Sequence, residues 1–144
     1  MQPDEIDKKI MEILGKEHTN NNDIARKLNM SEGAIRQRLR RLKEAGILKI
    51  RGLINPEGLA GQQLALVAIN IADPKLLDEK AQELAKLDNA LSASVLSGQY
   101  DIMLEVLVDS NKGLMNFIMT ALSTVTGITK TETFVLMKSY NKWI

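Results

Sequence analysis

Apolar side chains recur at helical spacing in the first third of the chain and at strand spacing after it. Ile6, Ile10, Ile13 and Leu14 stand at i, i+4, i+7 and i+8, one stripe of an amphipathic helix. Asp4 suits its N-cap and Asp7 its first turn, so a helix is predicted over Asp4–Leu14, stopped by Gly15. A polar loop follows over residues 16–21. A short helix is read from Asn22 to Leu28, with Ile24 and Leu28 inward and Ala25 small enough for close helix approach. Asn29 tolerates the left-handed backbone that ends it. Ser31 then caps a longer helix that stops near Gly46. Ile35, Leu39 and Leu42 make its inner stripe, while Gly33, Arg36, Gln37, Arg40 and Glu44 face away, with Arg38 and Arg41 on the flanks.

From Gly46 to Gly52 the pattern reads as a helix stop and a short β segment, the place for a wing. Asn55-Pro56-Glu57-Gly58 breaks regular structure, and the period then changes. Leu64–Ala72 is a strand apolar on both faces: Val67, Ile69 and Ile71 on one, Leu64, Leu66 and Ala68 on the other. Such a strand is buried on both faces, one by its own helices and the other by another subunit. Pro74 opens a helix with Leu77, Ala81 and Leu84 inward. Strands are predicted at Leu91–Leu96 and Ile102–Val108, joined by the hairpin Ser97-Gly98-Gln99-Tyr100-Asp101. A helix over Ser110–Val125 carries Leu114, Phe117, Ile118, Ala121 and Leu122 on one face and stops at Gly127. A fourth strand covers Ile128–Met137, and residues 138–144 form a tail. The order β-α-β-β-α-β is the split ferredoxin-like arrangement, with both helices on one side of an antiparallel sheet. The fold class is therefore α+β. A winged helix-turn-helix domain spans 1–50, a wing and hinge 51–62, and a βαββαβ oligomerisation and effector domain 63–144.

Charge sharpens the first of these domains. The net charge is +1, but residues 1–55 hold 12 Lys/Arg against 8 Asp/Glu, and residues 56–144 hold 7 against 10. Seven cations and only Glu44 among the anions fall within residues 36–51, which points to a local anionic partner. The plain alternative is a solvated helix face. The preceding short helix, turn and Ser cap favour a DNA-reading helix. Arg bonds bidentately to guanine and Gln to adenine, while flanking cations reach phosphates. The expected DNA contacts are Ser31, Glu32, Gly33, Arg36, Gln37, Arg38, Arg40, Arg41 and Lys49.

Composition removes other classes. With no cysteine there is neither a disulfide framework nor cysteine-based metal chemistry. His18, the one histidine, cannot make a metal site alone. No Walker loop, dinucleotide fingerprint, zinc-protease helix or nucleophile elbow is present. The apolar run Leu64–Ile69 is far too short for a bilayer, and Asp4, Glu5 and Asp7 interrupt any secretory leader, so a cytoplasmic protein is expected. Met115 and Met119 are expected to fill core or interface.

Taken in order, these motifs resemble the Lrp/AsnC, or feast/famine, family of transcription regulators over nearly the whole chain. The residues that carry the resemblance begin with Asp4, Asp7, Ile10 and Leu14 in the first helix, then Ile24, Ala25, Leu28 and Ser31. They continue with Ile35, Arg38, Leu39, Arg41, Leu42, Gly46, Ile47 and Leu48, the link Asn55-Pro56, and Gly98-Gln99-Tyr100-Asp101 for the family's G-x-aromatic-D loop. The resemblance implies homodimers paired through the C-terminal sheet and assembled into tetramers or octamers. It also implies an amino-acid effector, with no other cofactor, bound between dimers. Gly98, Gln99, Tyr100 and Asp101 match its pocket loop, and Phe134, Val135 and Leu136 match a segment tied to effector response. From the residues alone, backbone amides at the glycine turn can hold a carboxylate and Asp101 can pair with an α-ammonium. The same residues also fit a plain hairpin whose Asp satisfies local amides. One departure stands out: Ile50-Arg51-Gly52-Leu53 replaces the wing's usual Gly-Tyr. The function expected is a sequence-specific DNA-binding regulator responsive to an amino acid, with no enzymatic activity. An architectural DNA binder without an effector is the alternative. Less favoured is a sirohaem-decarboxylase-like enzyme, since no histidine and only seven Lys/Arg follow residue 56.

Overall fold

The computed structural model describes residues 1–144, which fall into two compact units, Met1–Gly52 and Leu53–Ile144. In the first unit three helices enclose a small core: α1 (Glu5–Lys16), α2 (Asn21–Leu28) and α3 (Glu32–Glu44). Ile10, Ile24, Ala25, Ile35 and Leu39 form its buried cluster, the inward positions of the three helical stripes. Asn20, rather than a residue further on, caps α2, its side chain accepting from Asp23 N–H. Asn29 ends that helix in the left-handed region at φ 52°, and Met30 N–H closes the turn on the Ala25 carbonyl at 2.8 Å.

Two expectations for this unit are corrected. Gly15 does not stop α1, which runs on to Lys16. A helical glycine costs about 1 kcal/mol relative to alanine, and the Glu12–Lys16 pair one turn apart opposes that cost. The wing segment forms no strand between Gly46 and Asn55. The amides of Ile47 and Leu48 both turn back to the Leu42 carbonyl, at 3.0 and 3.2 Å, as a helix stop, and this unit offers no second strand as a partner.

The second unit is a four-stranded sheet of order β2-β3-β1-β4, antiparallel throughout. Its elements are β1 (Gln62–Ile71), α4 (Leu77–Ala85), β2 (Ala90–Val95), β3 (Ile102–Asp109), α5 (Ser110–Asn116) and β4 (Ile128–Val135). Ala65, Val67, Ile69 and Ile71 of β1 join Ile102, Leu104, Val106 and Val108 of β3 under Leu84 of α4 and Leu114 of α5. This is the α+β ferredoxin-like layering, with both helices on one side.

The helix over Ser110–Val125 is not uniform. After α5 it widens into a π turn at Phe117–Ala121 and tightens into a 3₁₀ turn at Leu122–Thr124. Five residues of ordinary α-helix would turn Leu122 about 140° away from Phe117. The π turn brings i and i+5 together, so Phe117 and Leu122 are both buried. Met115 and Met119, at 63% and 71% exposed, point outward and fill no part of this chain's core. The fourth strand stops at Val135, two residues short of Met137, although Leu136 N–H still reaches the Leu64 carbonyl.

The helix-free side of the sheet is less bare than its pattern predicts. Leu64 and Ala68 are buried within the single chain. The tail reaches this side: Lys142 forms an ion pair with Glu105, the cross-strand partner of Leu66. Ser139 N–H donates to Glu57 Oε1 at 2.8 Å, and Ile54 and Ile144 exchange two backbone hydrogen bonds. Phe134, opposite Leu66 on the same side, stays 43% exposed.

Candidate nucleic-acid interface and effector loop

The outward face of α3 is set by what its inner face must do. Ser31 Oγ accepts Ala34 N–H at 3.2 Å and fixes where the helix begins. Burial of Ile35, Leu39 and Leu42 then fixes its rotation. Arg36, Gln37 and Arg40 are left in solvent. Arg36 and Arg40 have only loose partners one turn away, Glu32 at 3.2 Å and Glu44 at 3.6 Å. Exposed pairs of this kind are worth about 0.3–0.5 kcal/mol, so both guanidiniums exchange readily to another anion. Glu32 also accepts from Asn21 Nδ2 at 3.3 Å and ties α2 to α3. Gly33 stands in the first turn, where a Cβ would meet only Arg36 Nη2, at 3.9 Å.

Arg38 and Arg41 behave differently. Asp7 has no exposed surface, and Arg38 Nη1 donates to its Oδ1 at 2.7 Å and to Asp4 Oδ2 at 2.7 Å. Arg41 Nη2 donates to the other Asp7 oxygen at 3.3 Å, from a side chain still 53% exposed. Asp4 and Asp7 also exchange the two hydrogen bonds of a capping box at the start of α1. The Asp7 N–H, followed by the Arg38 guanidinium, holds the Asp4 carboxyl below its ordinary value of 3.8. The paired carboxylates in turn raise Arg38. Arg38 is thus engaged inside the domain, and Arg41 reaches out only in part. Lys49 lies exposed on the strandless segment after the helix. Sequence reading placed Asp4 and Asp7 only as caps. The i, i+3 spacing of Asp4/Asp7 and of Arg38/Arg41 suits such pairing, but the meeting itself comes from how α1 packs on α3.

In the second unit the Gly98–Asp101 loop sits at the Ile69–Ile71 end of β1. Gly98 adopts φ 149°, a region that favours glycine. Asp101 Oδ2 accepts Ile71 N–H at 2.9 Å, and Asp101 N–H is shared by the Ile69 carbonyl and Asn70 Oδ1, both at 3.0 Å. Lys130 Nζ lies 5.6 Å from the centre of the Tyr100 ring. Phe134 and Val135 pair with Leu66 and Ala65, toward the other end of β1. Leu66 and Asn70 are four residues apart, about 13 Å along a strand. One chain therefore does not bring the two expected effector segments together. Leu136 lines a separate cavity of about 170 Å³ with Glu57, Gln63 and Leu107. That is below the ~300 Å³ at which small-molecule sites begin. Among the residues missed by sequence reading are Asn70 and Lys130, for which only strand register could supply the signal. No cluster of three His, Asp or Glu is placed to hold a metal, and no helix is long and apolar enough to cross a membrane.

The same two units are found in known proteins. The Lrp/AsnC ligand binding domain matches residues 64–142. A winged helix-turn-helix DNA-binding domain matches residues 3–49. An uncharacterised HTH-type transcriptional regulator of Pyrococcus abyssi is 33% identical over 145 residues, covering 99% of this chain and 90% of its own. The HTH-type transcriptional regulator LrpA of Pyrococcus horikoshii is 33% identical over 131 residues, 88% of this chain and 91% of its own. Among solved structures, the leucine response regulatory protein of Mycobacterium tuberculosis has a TM-score of 0.82 at 22% identity, covering 97% of this chain and 96% of its own. A transcriptional regulator of Neisseria meningitidis, solved as an L-Met complex, has a TM-score of 0.73 at 22% identity, covering 98% and 94%. The chain belongs to the Lrp/AsnC family of transcription regulators, with a helix-turn-helix DNA-binding domain followed by an Lrp/AsnC ligand-binding domain.

Proposed function

We propose that this regulator reads a specific DNA sequence with α3 and does so as a homodimer, further assembled into a tetramer or octamer. In this reading residues 1–50 bind DNA, 51–62 connect and 63–144 assemble the copies and bind the effector, in the cytoplasm and without enzymatic activity. The observation that carries it is the division of cations on α3. Arg36, Gln37 and Arg40 face solvent, while Arg38 is turned inward onto Asp4 and Asp7. Arg36, Gln37 and Arg40, with Gly33 allowing close approach, are the base readers. Ser31, Glu32, Arg41 and Lys49 are assigned to the sugar-phosphate backbone, Arg41 and Lys49 supplying charge. Arg38, expected as a contact, is assigned to holding α3.

The effector is a small molecule, an amino acid, bound at the loop of Gly98, Gln99, Tyr100 and Asp101. The Phe134–Leu136 segment lies about 13 Å away along the strand in the same chain. It enters the same pocket only from another copy, which couples binding to assembly. The L-Met bound by the Neisseria protein supports this chemistry.

The test is selection of duplexes by the full-length protein, followed by affinity on selected and scrambled sequences. A specific regulator binds the selected duplex at least about 10³-fold more tightly. Equal affinity for all duplexes would replace this reading with an architectural DNA binder.

A further inference from the structure

Asp101 is consumed by the fold around it. Its Oδ2 accepts Ile71 N–H, its N–H donates to the Ile69 carbonyl and Asn70 Oδ1, and its carbonyl accepts Leu96 N–H at 2.9 Å. These bonds fasten the loop to the end of β1. A carboxylate bonded to backbone amides in this way holds a loop in place. The charged side chain left at the loop is Lys130. It is the cross-strand partner of Asn70, on the helix-free side of the sheet. Its ammonium reaches over the Tyr100 ring, 5.6 Å from the centroid, and is paired with no carboxylate. The aromatic face steadies the ammonium without neutralising it. Beside it, a Cβ on Gly98 would meet no atom within 4 Å, so the turn opens to solvent.

We propose that the small molecule recognised at this loop presents an anionic group, a carboxylate, to Lys130, and that Asp101 is a positioning residue rather than a ligand. Lys130 supplies the charge-assisted hydrogen bond, the Tyr100 ring flanks the aliphatic part of the ligand, and Asn70 with Asp101 keeps the loop in shape. The inference rests on the reading of this loop as the effector site.

The experiment uses the full-length protein. A thermal-shift screen over the twenty L-amino acids identifies those that stabilise it. Calorimetry then compares each of these with its α-carboxamide. The carboxamide is expected to bind wild type about tenfold or more weakly, and Lys130→Met to lose at least as much for the parent acid, with Lys130→Arg retaining it. Lys130 is exposed, so Lys130→Met should melt with wild type when no ligand is present. Asp101→Asn keeps an acceptor for Ile71 N–H and should bind like wild type, whereas Asp101→Ala should not. Unchanged binding by Lys130→Met overturns the role of Lys130. An Asp101→Asn loss as large as that of Asp101→Ala overturns the positioning role. If no amino acid stabilises wild type, the effector reading itself fails and takes this inference with it.

Discussion

Asp7 is a charged side chain with no exposed surface, and both of its oxygens face guanidiniums. Asp7→Ala removes an acceptor from both guanidiniums and half of the capping box of α1. Arg38 keeps its bond to Asp4 and Arg41 stays half exposed, so the substitution is expected to destabilise the first unit by about 2 kcal/mol. A denaturant titration followed by circular dichroism measures it, and a loss within 0.5 kcal/mol, about that of a surface substitution, would contradict the assignment. Asp4 adds a pH dependence. Its folded pKa is depressed, so its stabilising contribution is fully present above 3.8 and is lost as pH falls through the lower folded value. Wild type should therefore melt above Asp4→Asn near neutral pH, and the gap should close in strong acid. A gap independent of pH would mean that the charge plays no part. Asp4 and Asp7 were legible from sequence as helix-start carboxylates, because capping depends on neighbours in the chain. Their bonds to Arg38, 34 and 31 residues away, depend on packing that no local pattern encodes.

Helices were legible wherever one apolar stripe and a polar cap coincided. Ser31, Ile35, Leu39 and Leu42 define α3 unambiguously, and its solvent face follows from them. Ser31→Ala removes the acceptor for Ala34 N–H and should cost about 1 kcal/mol of stability. Thermal denaturation reads this directly, and an unchanged midpoint would show that the cap contributes nothing. Elements that need a distant partner were less legible. Ile47 and Ile50 have strand-like side chains, yet residues 47–55 form neither helix nor strand. The change of pitch at Phe117 was hidden because the helical repeat alone places Ile118 and Ala121 inward as readily as Leu122. Met115 and Met119 show the same limit, since an outward face of an apolar-rich helix cannot be told from an inward one by composition.

The order of elements specified the whole second unit, because a split βαββαβ chain has one right-handed way to close. It did not show that the tail returns to the helix-free side, since Lys142 and Glu105 are far apart in sequence. That side carries Phe134, an apolar ring 43% exposed opposite the half-buried Leu66. Phe134→Glu should therefore shift the protein toward monomer in light scattering while keeping its secondary structure. An unchanged oligomer would place the interface elsewhere. In the dimeric reading, two copies of α3 meet major grooves about one turn, ~34 Å, apart, so loss of the dimer should also weaken binding to a two-part site. The proposed base-reading surface is the solvent face of α3 itself. Fluorescence anisotropy with a selected duplex, on wild type, Gln37→Ala and Arg40→Ala, tests it most directly. Each lost base contact should weaken specific binding by about 1–3 kcal/mol and relax preference at one base position. Affinity and preference equal to wild type in both variants would contradict it.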